Sequence, residues 1–202
     1  MDLHTDPGQL VAIRADASEA TAVSRTIVGL DAPLAGQVLI GRRNVTPVPP
    51  GHRQVGYVPA GDSLLPGLNV RRNVWYGVPE AARADQVNRD LVDRLVAALG
   101  IGPSLHFRPH ELEDGERFHV AMARAMACNH EVLVVDLPRP VPGALGPREI
   151  LDRCRREIEP MVIVTMVVCT ADPGLLATVD RVVDPTPVLP PPDGASPGRA
   201  GP

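Results

Sequence analysis

The sequence predicts an α/β fold, a mostly parallel sheet flanked by helices, from three observations. Residues 132–135 form a short continuous apolar run, which is typical of a strand buried on both faces of a parallel sheet. Similar apolar runs alternate along the chain with segments of helical character. Hydrophobic residues make up 44% of the 202 residues and aromatic residues only 2%, so aliphatic side chains must fill the core of what we expect to be one domain.

The predicted elements follow one another with turn residues between them. Short apolar runs predict strands at residues 10–13, 37–40, 132–135, 161–168 and 181–183. Helical patterns predict helices at about residues 17–28, 80–99, 116–128, 147–158 and 173–179. Gly29 ends the first of these helices and Gly100 the second. We expect the folded part to span about residues 3–184, because residues 185–202 are rich in proline and glycine, cannot bury a core and are predicted to be disordered.

Two of the predicted helices are clearly amphipathic. In residues 80–99, apolar side chains recur at four-residue steps, at Val87, Leu91, Leu95 and Leu99, with Val92 and Val96 widening that face. The alanine- and methionine-rich helix at 116–128 follows a loop that contains Gly115. Asp136 ends the next strand, and an acidic residue at the carboxyl end of a buried strand lies where α/β sheets place their ligands.

Composition and charge exclude several function classes. The net charge is −4, so no global basic field favours nucleic acid as a partner. No apolar run reaches the roughly 18–20 residues of a membrane span, and no secretory signal opens the chain. The three cysteines lack metal-type spacing and are interpreted as reduced thiols of a cytoplasmic protein. His106 and His110 have the spacing of a ligand pair, but Pro109 between them argues against a helical metal site.

Residues 111–138 carry an ordered series of motifs: a loop with one glycine, an alanine-rich helix, and a buried strand that ends in an acid followed by a proline. This order resembles the ATP-binding subunit of ABC transporters. The positions that fit the family pattern are Leu112, Gly115, Glu116, Val120, Ala121, Ala123, Arg124, Ala125, Asp136 and Pro138. Upstream, further positions between Ile27 and Gly77 fit in order and spacing, so the resemblance covers about residues 3–184.

The resemblance implies a P-loop NTPase-like fold with a helical subdomain, about residues 66–128, inserted before the acidic strand. The antiparallel strands that the family carries on its N-terminal side are expected to be largely missing. The resemblance also implies ATP and Mg²⁺ as ligands, assembly as a homo- or heterodimer, and contact with a membrane subunit through the helical subdomain. Trp75 and Tyr76, at the start of that subdomain, are interpreted either as partner contacts or as core residues.

The resemblance places the phosphate loop at residues 14–21. Such a loop reads G-x-x-x-x-G-K-[ST], in which backbone N–H groups and the lysine hold phosphates and the hydroxyl holds Mg²⁺. Arg14 and Glu19 stand at the glycine positions, Ala20 stands at the lysine position, and Thr21 is retained. Asp16 and Glu19 add two negative charges where a triphosphate would lie, and like charges at that range cost on the order of several kcal/mol in a partly desolvated site.

Asp16 and Glu19 also have the spacing of a capping box at a helix N-terminus. Both carboxylates suit the positive end of a helix. We therefore hypothesise that the protein's own acids have replaced the phosphates there; an ordinary capped helix without an ancestral site is the alternative. The predicted remnant of the nucleotide site comprises Asp16, Ser18, Glu19 and Thr21.

The resemblance implies further losses. Ala60 stands at the position of the family's glutamine, Leu137 at that of its catalytic glutamate, and Ala171 at that of its switch histidine. The predicted remnant of the signature motif comprises Leu112, Glu113, Asp114, Gly115 and Glu116, of which the second and third replace a serine and a glycine. Thr21 and Asp136 could still hold Mg²⁺, although a structural polar residue at a strand end is the alternative role for Asp136.

Loss of the lysine, glutamine, glutamate and histidine indicates a non-catalytic subunit that needs no cofactor, with no catalytic residue assigned. Its expected partners are a membrane permease or an intact ATPase subunit, and its expected location is cytoplasmic, peripheral to the inner face of the cell membrane. Two alternatives stay open: an active ATP-hydrolysing importer subunit that completes a composite site with a partner, and a stand-alone scaffold or binding protein.

Overall fold

A computed structural model describes residues 4–61, 63–128, 130–158 and 165–185 of the chain. Its strands are β1 (Leu10–Arg14), β2 (Leu39–Ile40), β3 (Arg43–Asn44), β4 (Val55–Val58), β5 (Val132–Asp136), β6 (Thr165–Thr170) and β7 (Arg181–Val183). Five of them form one parallel sheet in the order β4-β5-β6-β1-β7, and β2 and β3 pair antiparallel. The predicted α/β fold with a mostly parallel sheet is therefore confirmed.

Helices cover both faces of the sheet. They are α1 (Ala17–Val28), α2 (Val70–Tyr76), α3 (Gln86–Ala98), α4 (Asp114–Met126), α5 (Pro147–Ile158) and α6 (Pro173–Leu176). On one face α1 packs against β5 and β6; on the other, α4 packs against β4, and α3 and α2 lie against α5 and α4 respectively. The apolar runs of β5 and β6 end up buried between these layers, which is why they lack a polar face.

The C-terminal end of α1 is fixed by a buried arginine. Arg53 is only 3% exposed, and its Nη1 donates hydrogen bonds to the carbonyl oxygens of Thr26 and Ile27 at 3.0 Å. The rest of the guanidinium donates to the carbonyl oxygens of Thr46 and Val48, both at 2.8 Å. A cation bonded to the last carbonyls of a helix satisfies acceptors that lack an intrahelical partner. Arg53 thus orients α1 relative to the chain that leads into β4.

Several predicted boundaries hold. The helices at 17–28 and 147–158 have the predicted bounds, and Gly29 ends the first of them in the left-handed conformation, with φ 88°. The strands at 10–13, 132–135 and 181–183 are present, the first two each one residue longer than predicted. The strand predicted at 161–168 is described from Thr165 to Thr170. Residues 161–164, and residues 186–202 of the tail predicted at 185–202, lie outside the described residues.

Other predicted boundaries were wrong. The strand predicted at 37–40 is only the two-residue β2, because the chain turns back at Gly41 to pair with β3. The helix predicted from residue 80 begins at Gln86, because Asp85 caps it by accepting a hydrogen bond from the Val87 N–H at 3.0 Å. Val87, assigned to the apolar face, is consequently 59% exposed in the first turn.

The remaining differences concern three helices. The helix predicted at 116–128 is α4, two residues earlier at each end, so that Gly115 lies in its first turn rather than in a loop. The helix predicted at 173–179 ends at Leu176. Sequence reasoning missed α2, although Asn69 is a favourable N-cap residue and accepts a hydrogen bond from the Arg72 N–H.

Candidate functional site

The N-terminus of α1 lies at the carboxyl edge of the sheet, where only two residues separate it from β1. Asp16 Oδ1 accepts hydrogen bonds from the backbone N–H groups of Ser18 and Glu19, both at 2.9 Å, and from the Ser18 hydroxyl at 2.8 Å. Glu19 Oε2 accepts in return from the Asp16 N–H at 3.4 Å. The capping box predicted for these residues is present, and it satisfies amide groups that a helix otherwise offers to an anion.

The next amide is also used. The Ala20 N–H donates to the Asp16 carbonyl oxygen at 2.7 Å, which closes the first helical turn. The hydrogen bond from the Glu19 amide, followed by that from the Ser18 hydroxyl, lowers the pKa of Asp16 and favours its charged form. The charged carboxylate of Asp16 therefore lies at the positive end of α1.

Arg14 and Ala20, two predicted loop positions, face in different directions. Ala20 is fully buried, in a small apolar cluster with Ile13 and Val28. Arg14 is exposed at the end of β1 and pairs with Asp184 at 2.7 Å. A lysine at position 20 would have to enter the apolar cluster unless the first turn of α1 opened.

Thr21 and Asp136, predicted as a remnant metal pair, are brought together. The Thr21 hydroxyl donates to Asp136 Oδ2 at 2.7 Å across the gap between α1 and β5. Asp136 is 2% exposed, and its Oδ1 has no hydrogen-bond partner among the described residues. A hydroxyl and a carboxylate are hard oxygen donors that suit Mg²⁺, but Mg²⁺ in such sites also relies on substrate phosphates. The α1 N-terminus does not fit the binding of such phosphates, because its amides are bonded to Asp16.

Besides Ala20, three positions are assigned to lost catalytic groups, and the fold brings only two of them together. Ala60 and Leu137 line one cavity of about 380 Å³ together with Asp136, at the carboxyl ends of β4 and β5. Leu137 is 5% exposed, and its N–H donates to the Cys169 carbonyl oxygen, so its backbone continues the sheet beyond β5. Ala171 lies after β6, is exposed, and is not among the residues that line this cavity.

Of the five described residues of the signature remnant, only Asp114 lines this cavity, and it pairs with Arg117. Glu116 accepts hydrogen bonds from the Ser104 hydroxyl at 2.8 Å and from the Glu113 N–H at 3.1 Å, and these hydrogen bonds lower its pKa. Leu112 is buried in the core below. Two carboxylates, Asp114 and Asp136, thus share a cavity with Arg117 and Arg139.

Gly115 holds α4 against the loop that follows β5. A Cβ atom there would lie 2.4 Å from the carbonyl carbon of Gly143, so only glycine permits this approach. One turn further on, His119 Nε2 accepts a hydrogen bond from the Leu145 N–H at 2.8 Å. Burial, and next the charge of Arg153, lower the pKa of His119, which favours the neutral acceptor form. Sequence reasoning missed His119, since no local pattern reveals a contact 26 residues away.

No group of three or more histidine, cysteine, aspartate or glutamate side chains could hold a metal ion within the described ranges. Over the same ranges, no helix combines the length and apolar character needed to cross a membrane.

Comparison with known proteins gives consistent matches. The sequence profile of the ABC transporter family matches residues 20–139. The sulfate/thiosulfate import ATP-binding protein of Mycobacterium bovis is 37% identical over 161 residues, which cover 78% of this chain and 45% of that protein. The Fe(3+) ions import ATP-binding protein of Brucella abortus is 29% identical over 185 residues, which cover 91% of this chain and 52% of that protein. The chain thus spans about half the length of these curated relatives.

Solved structures agree with the fold. A dimeric, post-hydrolysis state of an ATP-binding cassette bound to ADP and Pi matches with a TM-score of 0.69 and 22% identity, over 90% of this chain and 83% of that one. A protein of Clostridium perfringens described as part of an ABC transporter complex matches with a TM-score of 0.68 and 19% identity, over 91% of this chain and 76% of that one. The P-loop NTPase fold expected from the sequence is confirmed.

Proposed function

This chain belongs to the ABC transporter family, and we propose that it is a non-catalytic ATPase-like subunit that docks to a membrane permease or to an intact ATPase partner. The observation that carries this proposal is the capping box at the N-terminus of α1. Asp16 occupies the amide groups of Ser18 and Glu19, which in the proposed alignment belong to the phosphate loop. Bound phosphate would have to displace a carboxylate that is already hydrogen-bonded and correctly placed.

The other assigned positions support the same proposal. Phosphoryl transfer depends on positive groups that stabilise the moving charge and on a residue that orients the nucleophile. Alanine stands at the assigned lysine position and is fully buried, and leucine stands at the assigned glutamate position. At the assigned glutamine and histidine positions, Ala60 and Ala171 offer no side-chain hydrogen-bond donor or acceptor. We propose that neither ATP nor Mg²⁺ is a working ligand of this chain.

Partner binding is the function that remains on this view. A subunit of this type would bind two kinds of partner: a membrane permease, and a second ATPase subunit that is identical or different. Either would place the chain in the cytoplasm at the inner face of the membrane. The names of its relatives, import ATP-binding proteins for sulfate/thiosulfate and for Fe(3+) ions, favour a role in an importer.

An active subunit is the second candidate, and one observation favours it. The Thr21–Asp136 hydrogen bond preserves two oxygen ligands that could serve Mg²⁺ if a partner supplied the missing phosphate contacts. A third candidate, a stand-alone scaffold, would need neither nucleotide nor a membrane partner.

Phosphate release and co-purification together test the proposal. The purified chain, alone and mixed with an intact ATPase subunit of the same transport system, should release no phosphate from Mg·ATP beyond that of the partner alone. The tagged chain should retain a multi-span membrane protein in mild detergent. Turnover by the chain itself would favour the active subunit, and retention of no membrane protein would favour the scaffold.

A further inference from the structure

The segment between β5 and α5, residues 137–146, is held against α4 at two points, and we call it the β5–α5 loop. At the first point, Gly115 packs so closely on Gly143 that a Cβ atom on Gly115 would lie 2.6 Å from the Gly143 carbonyl oxygen. At the second point, the Leu145 N–H donates a hydrogen bond to His119 Nε2 at 2.8 Å. Within the described part of the chain, this is the one hydrogen bond that joins the backbone of residues 138–145 to a side chain outside the loop. The state of the imidazole therefore determines how firmly the end of the loop is attached to α4.

The β5–α5 loop forms one side of the 380 Å³ cavity at the carboxyl ends of β4 and β5. Residues 138–142 line that cavity, and so does Phe118, the neighbour of His119 on α4. The loop starts from a fixed point, because the Leu137 N–H donates to the Cys169 carbonyl oxygen at 3.0 Å. A movement of the loop between Leu137 and Leu145 would consequently change the size of the cavity without breaking a hydrogen bond of the sheet.

Charged groups act on His119 from two helices. Glu116 lies one turn earlier on α4, and Glu149 and Arg153 lie on α5. Burial, and next the charge of Arg153, lower the pKa of His119, whereas the two glutamates act in the opposite direction. The β5–α5 loop itself contains one ionisable residue, Arg139, which lines the cavity. The neutral imidazole, the form that can accept from the Leu145 N–H, is therefore the dominant form at neutral pH.

We propose that His119 is a pH-sensitive latch, which holds the β5–α5 loop on α4 when it is neutral and releases residues 138–145 of the loop when it is protonated. A proton that binds Nε2 converts the acceptor into a donor, so that two N–H groups face each other and the hydrogen bond to Leu145 is lost. Glu116 and Glu149 then stabilise the imidazolium. Because the pKa of His119 is lowered, release occurs below the ordinary histidine value of about 6.5. Access to the cavity thus depends on pH, and this dependence requires neither nucleotide nor a partner.

Amide hydrogen exchange of the full chain, followed residue by residue by NMR and divided by the intrinsic exchange rate at each pH, tests the latch. We expect the protection of the Leu145 amide to fall at least about tenfold between pH 7.5 and pH 5, as for a local opening. The amides of Leu133 and Val135 in β5 should lose much less protection over the same range, since the sheet stays closed. The loss at Leu145 should have the same midpoint as the titration of the His119 ring resonances.

His119→Gln should remove the pH dependence at Leu145, because a glutamine oxygen accepts from the N–H without binding a proton. The matched control is His130→Gln, since burial also lowers the pKa of His130, which packs beside Gly56 on β4; this variant should keep the pH dependence at Leu145.

Three results would overturn the proposal: protection of Leu145 that does not change with pH, an equal loss of protection throughout β5, or the same pH dependence in His119→Gln as in the parent. If His119→Gln does not fold, as judged by circular dichroism, the two midpoints in the parent still decide, and different midpoints would reject the latch. The exchange experiment contains no nucleotide and no partner, so its outcome is independent of the proposed function.

Discussion

The Thr21 hydroxyl and the Asp136 carboxylate form a 2.7 Å hydrogen bond that joins α1 to the end of β5. Asp136 is only 2% exposed, and its other carboxylate oxygen has no hydrogen-bond partner among the described residues. Among the described residues, this bond is the one side-chain hydrogen bond of Asp136. It also holds the first turns of α1 against the C-terminal end of β5.

Replacing Thr21 by valine should destabilise the protein by about 1–3 kcal/mol, because it leaves both oxygens of a buried acid without a donor. Valine keeps the shape of threonine, so packing changes little. Thr21→Ser retains the hydroxyl and should cost less. Urea unfolding followed by circular dichroism measures both variants, and a valine variant as stable as the parent would show that the hydrogen bond contributes nothing.

Arg53 offers a second test of the architecture, at the opposite end of α1. Arg53→Met keeps most of the apolar stem but removes the arginine's hydrogen bonds to four backbone carbonyls, of which only that of Thr26 keeps a second donor, the Gly29 N–H. We expect a loss of about 1–3 kcal/mol from the buried acceptors left unpaired. Thermal unfolding measures it. Arg42→Met, in the exposed turn between β2 and β3, is the matched control, and an equal effect of both substitutions would contradict the assigned role of Arg53.

Stability should depend on pH through His119 and His130, whose pKa values are both lowered chiefly by burial. In the unfolded chain a histidine binds a proton near pH 6.5, whereas the folded state resists protonation until lower pH. The unfolded state therefore binds more protons in this window, and the free energy of unfolding should fall as pH drops from about 7.5 to about 5.5. The carboxylates with lowered pKa, such as Glu116, act only at lower pH, below about 4.5.

His119→Gln separates the two histidines, since a glutamine oxygen can still accept the Leu145 N–H without binding a proton. Its free energy of unfolding should vary less steeply with pH than that of the parent over the same window. An unchanged slope would mean that His119 does not titrate between the folded and unfolded states in this range.

Rebuilding the phosphate loop tests whether the acids at the α1 N-terminus exclude phosphate. The triple variant Arg14→Gly, Glu19→Gly, Ala20→Lys removes half of the capping box, lets the first helical turn open and supplies the lysine. Affinity for Mg·ATP should rise at least about tenfold, which equals 1.4 kcal/mol. The variant with both glycines but Ala20 retained is the control and should gain less. No gain in the triple variant, confirmed folded, would favour an ordinary capped helix without an ancestral site.

The sequence was sufficient for features that depend on local patterns. The apolar runs of β1 and β5, the stop at Gly29 and the Asp16–Glu19 spacing all act within a few residues, and all are found as predicted. Features that depend on contacts between distant segments were missed. Arg53 bonds to carbonyls up to 27 residues away, and Gly115 is required by a loop more than 20 residues further along the chain.

The candidate site likewise combines features that were predicted from the sequence with features that were not. The family resemblance, and not residue spacing, predicted Thr21 and Asp136 as a pair. The fold brings them within hydrogen-bonding distance. The burial of Ala20 could not be read from the sequence, because alanine is common on both faces of a helix. That burial matters for function, since it turns the assigned lysine position toward the apolar cluster.

Calorimetric titration of ATP and of ADP into the purified full chain, each with and without Mg²⁺, measures whether the α1 N-terminus accepts phosphate. We expect no binding tighter than the millimolar range in any of the four titrations, because Asp16 already holds the amides that would receive phosphate. A micromolar dissociation constant for Mg·ATP would contradict it.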